Sequence, residues 1–216
     1  RRAEIVQNTC NAFITISDEV ARAEARRAEE SVMAGDDLGP LHGVPFTVKD
    51  LVNTAGVRTT FGSHAFADNV PKSDSIGIAR LRDAGAVLIG KTTTPEFGHK
   101  PMTEAPLFGR TLNPWDLTRT SGGSSGGAGV AAATGIGPLH VGTDGGGSTR
   151  IPAAACGVVG MKQTLGRVPH DMSSDSFGCM SFIGPSTLET TDPSPISEAR
   201  LPSSRRTIAI VVFPVI

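Results

Sequence analysis

SIGIARLRDAGAVLIG, residues 75–90, is a helical segment that feeds directly into an apolar run. Asp74 or Ser75 can cap the helix, and Gly85 can stop it. AVLIG, residues 86–90, then reads as a buried strand. Upstream, VPFTV (residues 44–48) follows the turn signal Gly39-Pro40 and reads as a second buried strand. Strand, helix, strand at this spacing is a βαβ unit, which predicts parallel pairing and an α/β class.

The pattern extends in both directions. DEVARAEARRAEESVM, residues 18–33, predicts a helix with a charged face that ends near Gly35. Residues 94–120 read as a loop with Pro and Gly, and residues 124–134 as a tightly packed helix of small residues. LHVGTD (139–144) predicts a strand, three glycines a turn, and CGVVGMK (156–162) another buried strand. From about Ser186 the signal decays: residues 191–206 read as loop and TIAIVVF (207–213) as a closing strand. That final strand has nothing after it, and the chain opens Arg-Arg-Ala-Glu without Met. Both features predict missing sequence at the two ends, with a further gap near Thr191. No internal repeat is evident.

Composition bounds the function. With 216 residues, 38% hydrophobic and 19% charged, the chain reads as one soluble, globular domain. A net charge of -1 gives no reason to expect a polyanion or membrane-surface partner. No apolar run approaches the roughly 20 residues of a membrane span, and the opening has no signal-peptide pattern. Cys10, Cys156 and Cys179 form no CxxC pair, which disfavours a disulfide framework or a cysteine zinc site and favours a reducing compartment. Glycine, 26 residues in all, is concentrated between Gly122 and Gly166 and marks a site.

Three segments carry candidate chemistry. SGGSSGGAG (121–129) opens into an apolar Ala/Val helix, so it is more than a linker. It lacks the Gly-Lys-Ser/Thr ending of a phosphate-binding loop. It does match a G-x-S-x-G elbow around Ser124, although such an elbow should follow a strand and TLNPWDLTRT reads as loop. TDGGGSTR (143–150) places three glycines before Ser148; their amides can converge as an oxyanion hole, and Asp144 and Arg150 can clamp the turn as an ion pair. A plain glycine turn with a solvated serine fits the same residues. Lys49 ends VPFTVK with Asp50 on the opposite face. To act as a base near pH 7 it must drop by roughly three pKa units, about 4 kcal/mol, which partial burial and a nearby cation could supply. A snorkelling lysine is the commoner fate of such a residue. His42, His64, His99, His140 and His170 show no metal-ligand spacing; His99 is a candidate for lining a pocket.

Taken together, LHGVPFTVKD, AGAVLIGKTTTPEFG, NPWD, GGSSGG, VGTDGGGSTRIPAAACGVVGMKQTLGRVP and a later Gly-Pro pair stand in the order seen in the amidase signature family. The chain resembles that family over residues 11–185, most specifically over 122–169. The resemblance implies an α/β fold with a mixed, largely parallel central sheet surrounded by helices. It implies a single domain over residues 1–216 that lacks the C-terminal half and the extreme N-terminus. It implies a Ser-cisSer-Lys triad: Lys49 as base, Ser124 behind a cis bond from Gly123, and Ser148 as nucleophile. The amides of Gly145, Gly146 and Gly147, up to Ser148, would hold the oxyanion. Asp144, Arg150 and Ser125 would support the turn, and Gly98, His99 and Gly123 would meet substrate. No metal or organic cofactor is implied.

The expected partner is a small-molecule amide in the cytoplasm, with no direct nucleic-acid or membrane contact; a homo-oligomer stays open. Three functions compete. They are a stand-alone amidase for aliphatic or aryl amides, the amidase subunit of a tRNA-dependent amidotransferase, and an inactive truncated scaffold. VPHDMSSDSFGCMSFIGP (168–185) looks more like the stand-alone enzymes. The sequence departs mildly from the family at DGGGST and at Met161-Lys162-Gln163-Thr164. It departs more in length and in lacking an Asp-led helix after the Gly-Pro segment.

Overall fold

The computed structural model describes residues 1–164, 166–169, 171 and 182–187. Along the chain run α1 (Arg2–Cys10), β1 (Phe13–Ile16), α2 (Asp18–Ala34), β2 (Pro45–Lys49), α3 (Ile76–Asp83) and β3 (Val87–Thr92). Four short strands follow: β4 (Glu104–Ala105), β5 (Gly109–Arg110), β6 (Leu112–Asn113) and β7 (Asp116–Thr120). Then come α4 (Gly126–Ala133), β8 (Leu139–Asp144), α5 (Arg150–Cys156), β9 (Val159–Gly160) and β10 (Phe182–Thr187).

The main sheet has the order β1-β3-β2-β8-β10-β9. Its centre is parallel, as the βαβ spacing requires, with β2 between β3 and β8. The outer pairings, β1 with β3, β8 with β10 and β10 with β9, are antiparallel. This is the mixed α/β architecture expected.

Side-chain alternation along β2 divides the interior. Phe46 and Val48 join Val52, Ile78, Leu88, Leu139, Val141 and Ile183 in one apolar cluster. Thr47 and Lys49 take the other face. Each large aliphatic or aromatic side chain removed from water there contributes about 1.5–3 kcal/mol. A second cluster joins α1 and β1 to α4 and α5 through Val6, Cys10, Phe13, Val130, Ala131 and Cys156.

α4 is the most enclosed helix, with all eight residues buried. Only small side chains fit there. A Cβ on Gly127 would lie 2.4 Å from the backbone of Ala12 and Thr93, and one on Gly126 2.2 Å from Thr103 Oγ1.

Several expectations need correction. The segment 94–120 holds two small antiparallel hairpins, β4–β5 and β6–β7. The strand expected over 156–162 shrinks to β9, because Arg150–Cys156 is helical and Gly157, at φ 67°, ends the helix in the left-handed region. α1 and β1 were not foreseen: α1 buries only Val6 and Cys10, and β1 is four residues long. Ser75 is the N-cap of α3 by position, yet its buried hydroxyl makes no hydrogen bond among the described residues. Asp171 Oδ2 instead accepts from the Ile76 amide at 2.8 Å, while Asp74 Oδ1 accepts from Ala55. The loop and strand expected at 191–213 lie outside the described residues, as do Cys179 and His170.

Candidate active site

β2 delivers Lys49 to the face of the sheet covered by the glycine-rich segment. The amine is fully buried and donates to Ser124 Oγ at 2.6 Å and Thr143 Oγ1 at 2.9 Å. Burial pushes its pKa well below the usual lysine range, and Asp144 opposes that by favouring the charged form. The sequence predicts partial burial and a neighbouring cation. The structure has complete burial and a nearby carboxylate, so desolvation supplies the whole downward shift. Asp50 points the other way, bonded to Thr60.

The Gly123–Ser124 peptide is cis, as the resemblance implied. Gly123 must be bare: a Cβ would come within 2.7 Å of the Met102 backbone. Thr103 Oγ1 donates to Gly122 O at 2.8 Å and accepts from Gly126 N at 3.0 Å, so one buried hydroxyl cradles both ends of the turn. Ser125 staples it to the sheet. Its amide donates to Ser148 O at 3.0 Å, and its hydroxyl bridges the Thr143 carbonyl at 3.2 Å and amide at 3.3 Å. A strand, β7, does precede this segment, contrary to the loop expected there, so the elbow context is half met. Ser124, however, is engaged by Lys49 rather than by a histidine. His42, His99 and His140 bond Ala28 O, Glu96 O, and Thr47 with Gly137 O respectively.

The second glycine turn follows β8. Asp144 is buried and anchors it through Gly147 N at 2.9 Å, Thr149 N at 3.1 Å and Arg150 N at 3.2 Å. Arg150 closes a two-point ion pair with both Asp144 oxygens, Nε to Oδ2 at 3.0 Å and Nη2 to Oδ1 at 2.8 Å. Burial works to raise this carboxyl, yet the hydrogen bonds from Arg150 and the turn amides hold it at about 2. Of the three glycine amides, that of Gly147 is committed to Asp144. Among the described residues the amides of Gly145, Gly146 and Ser148 make no hydrogen bond. Gly147 has φ 118°, a conformation that favours glycine.

Ser148 is half-buried. Its carbonyl is tied to Ser125, which brings it next to Ser124, but among the described residues its hydroxyl makes no hydrogen bond with Ser124. Such contacts often tighten only when substrate binds. Gly98 packs against the same place: a Cβ there would lie 3.3 Å from Ser124 Oγ and 2.5 Å from Leu51 Cδ1. His99 is exposed and bonded within its own turn.

Sequence reasoning missed Thr143, the second partner of Lys49. It also missed Thr103, and Lys162, whose Nζ donates to Gly145 O at 2.8 Å. Period two within LHVGTD could not have found Thr143, since alternation groups it with Leu139 and Val141 of the apolar cluster rather than with the face that carries Lys49.

A mixed sheet that brings a buried lysine to the serine of one glycine turn, with a second glycine turn stapled beside it, sets a class, and sequence comparison agrees with it. The Amidase family model matches residues 1–204, and the chain belongs to that family. It is 44% identical over 192 residues to an acylamidase of Rhodococcus erythropolis, covering 89% of this chain and 40% of that protein. It is 45% identical over 204 residues to a glutamyl-tRNA(Gln) amidotransferase subunit of Moorella thermoacetica, covering 92% of this chain and 41% of that one. Among solved structures, the peptide amidase of Stenotrophomonas maltophilia superposes with a TM-score of 0.80 at 34% identity, covering 86% of this chain and 39% of that one. The chain thus spans about two fifths of the length of these relatives. Among the described residues no helix is long and apolar enough to cross a membrane.

Proposed function

We propose that this chain carries the catalytic part of an amide hydrolase, with Ser148 as nucleophile and Lys49 and Ser124 as its proton relay. The supporting observation is the Lys49 amine, fully buried and 2.6 Å from Ser124 Oγ. A lysine kept neutral by desolvation has a lone pair to accept the Ser124 proton while it donates to Thr143. Ser124 takes a proton from Ser148 as it gives one to Lys49. The Ser148 oxygen attacks the amide carbon, and the carbonyl electron pair moves onto oxygen, where the free amides of the glycine turn receive it. Collapse of the tetrahedral species breaks the C–N bond, and the proton returns through Ser124 to the leaving amine. Water then attacks the acyl-enzyme by the same relay, releasing carboxylate and restoring Ser148.

The substrate class is a small carboxylic amide, as the names acylamidase and peptide amidase suggest for relatives. The test is covalent labelling with a fluorophosphonate, alongside turnover of a panel of aliphatic and aryl amides. Wild type should label on Ser148, Ser148→Ala should not, and Lys49→Ala should label about 10²- to 10⁴-fold more slowly. Absence of labelling in wild type would overturn the reading. Ammonia release from glutamine only after adding partner proteins would select the amidotransferase reading instead.

A further inference from the structure

Outside the triad, a cation besides Arg150 reaches the glycine turn. Lys162 Nζ donates to the carbonyl oxygen of Gly145 at 2.8 Å and stands 4.0 Å from Asp144 Oδ1. Its side chain is only a quarter exposed. Arg150 already engages both oxygens of Asp144, so the short contact of Lys162 falls on the carbonyl.

That carbonyl belongs to the same planar peptide as the Gly146 N–H. In a trans amide the C=O and N–H point in opposite directions, so a donor fixed on the oxygen fixes where the N–H points. A positive donor on the oxygen also polarises the amide and makes its N–H a stronger donor. On the Gly146 side, packing does not orient this peptide. Gly146 is exposed, and a Cβ added to it would meet nothing within 4 Å. Its amide makes no hydrogen bond among the described residues. The next amide, Gly147, is held by Asp144 Oδ1 at 2.9 Å. The turn is thus tied down on either side of the Gly146 amide, by a cation on the preceding oxygen and a carboxylate on the following amide.

We propose that Lys162 is a positioning residue that aims and strengthens the Gly146 N–H as the principal donor to the substrate oxyanion. The proposal rests on reading this turn as the oxyanion site of an amide hydrolase. It is specific to a donor at that position, since packing by an aliphatic chain would not polarise the peptide.

The experiment compares the whole chain with Lys162→Met, which keeps the length and loses the donor, and Lys162→Arg, which keeps a charged donor. The readouts are fluorophosphonate labelling of Ser148, kcat and KM on an aryl amide, and thermal unfolding. Lys162→Met should label and turn over about 10- to 100-fold more slowly, less than the loss on deleting an oxyanion donor outright. Its KM should stay within about twofold, because the interaction strengthens only as charge develops. Lys162→Arg should recover most of the rate. Unchanged labelling in Lys162→Met, or equal losses in the Met and Arg variants, would overturn the proposal.

The amide proton of Gly146 gives a second readout, independent of activity and applicable to the milder variant Lys162→Gln. It should move upfield when the cation is removed, and an unmoved resonance would also overturn the proposal. If wild type fails to label while the Gly146 resonance responds to Lys162, the hydrolase reading fails and the polarisation of the peptide by the lysine stands.

Discussion

Two lysines on neighbouring parallel strands are buried on opposite faces of the sheet. Register pairs Val48 with Lys91 and Lys49 with Thr92. Lys91 has neutral acceptors, among them Thr54 Oγ1 at 2.8 Å and Thr59 Oγ1 at 3.0 Å, and those hydroxyls donate to Val52 O and Val57 O. Three acceptors, with the Val52 carbonyl among them, suit an ammonium. Among the described residues Lys49 has two partners, both hydroxyls, and the Ser124 hydroxyl can donate as well as accept. That difference is what the proposed relay role of Lys49 requires and an anchoring role for Lys91 does not. The labelling rate of Ser148 should therefore rise with pH and level off once Lys49 is neutral, at a pH well below the usual lysine range. Thr143→Val keeps the side-chain volume and removes the second partner of Lys49. It should slow labelling by about tenfold, the worth of one hydrogen bond to a reacting group, as read from the same pH–rate profile.

At the level of elements, the two glycine-rich turns depend on what lies beneath them. Gly127→Ala would drive a methyl into the backbone of Ala12 and Thr93. We expect a loss of about 1–3 kcal/mol in urea unfolding, typical of overpacking. Asp171→Ala should cost about 1 kcal/mol, since it removes the carboxylate that caps α3. The βαβ unit was legible because α3 and the strands beside it carry their period in few residues with clear stops. The site was legible in its residue types, since TDGGGSTR and GGSSGG need glycine for backbone reasons that leave a mark in sequence. The cap of α3 was not legible, because Asp171 lies 95 residues from Ile76 in the chain. Nor was the fate of the Gly147 amide, which depends on how the turn closes on Asp144. Thr103 was hidden for a similar reason: a lone threonine in a loop shows nothing of the two turn ends it bridges.

Over the whole molecule, buried amines set a pH dependence. Burial pushes Lys91 down to about 7 from the ordinary 10.5 of a lysine. Between those values the unfolded chain binds a proton that the folded one does not, so stability rises with pH through this window and is lowest below it. Lys49 contributes with the same sign. Burial raises the Cys10 thiol, which works in the opposite direction only near and above pH 9. The urea midpoint should accordingly climb from about pH 6.5 to about pH 8.5, and Lys91→Met should flatten that climb. A midpoint that falls over this range would contradict the assignment. The walled-in position of α4 has one more consequence. The helix that begins beside Ser124 and Ser125 touches interior on every side, so it has no way to swing out alone, and opening there must coincide with loss of the folded core. Amide hydrogens within it should exchange at the rate of global unfolding, which makes any reagent that depends on an intact Ser124 a gauge of how many molecules are folded.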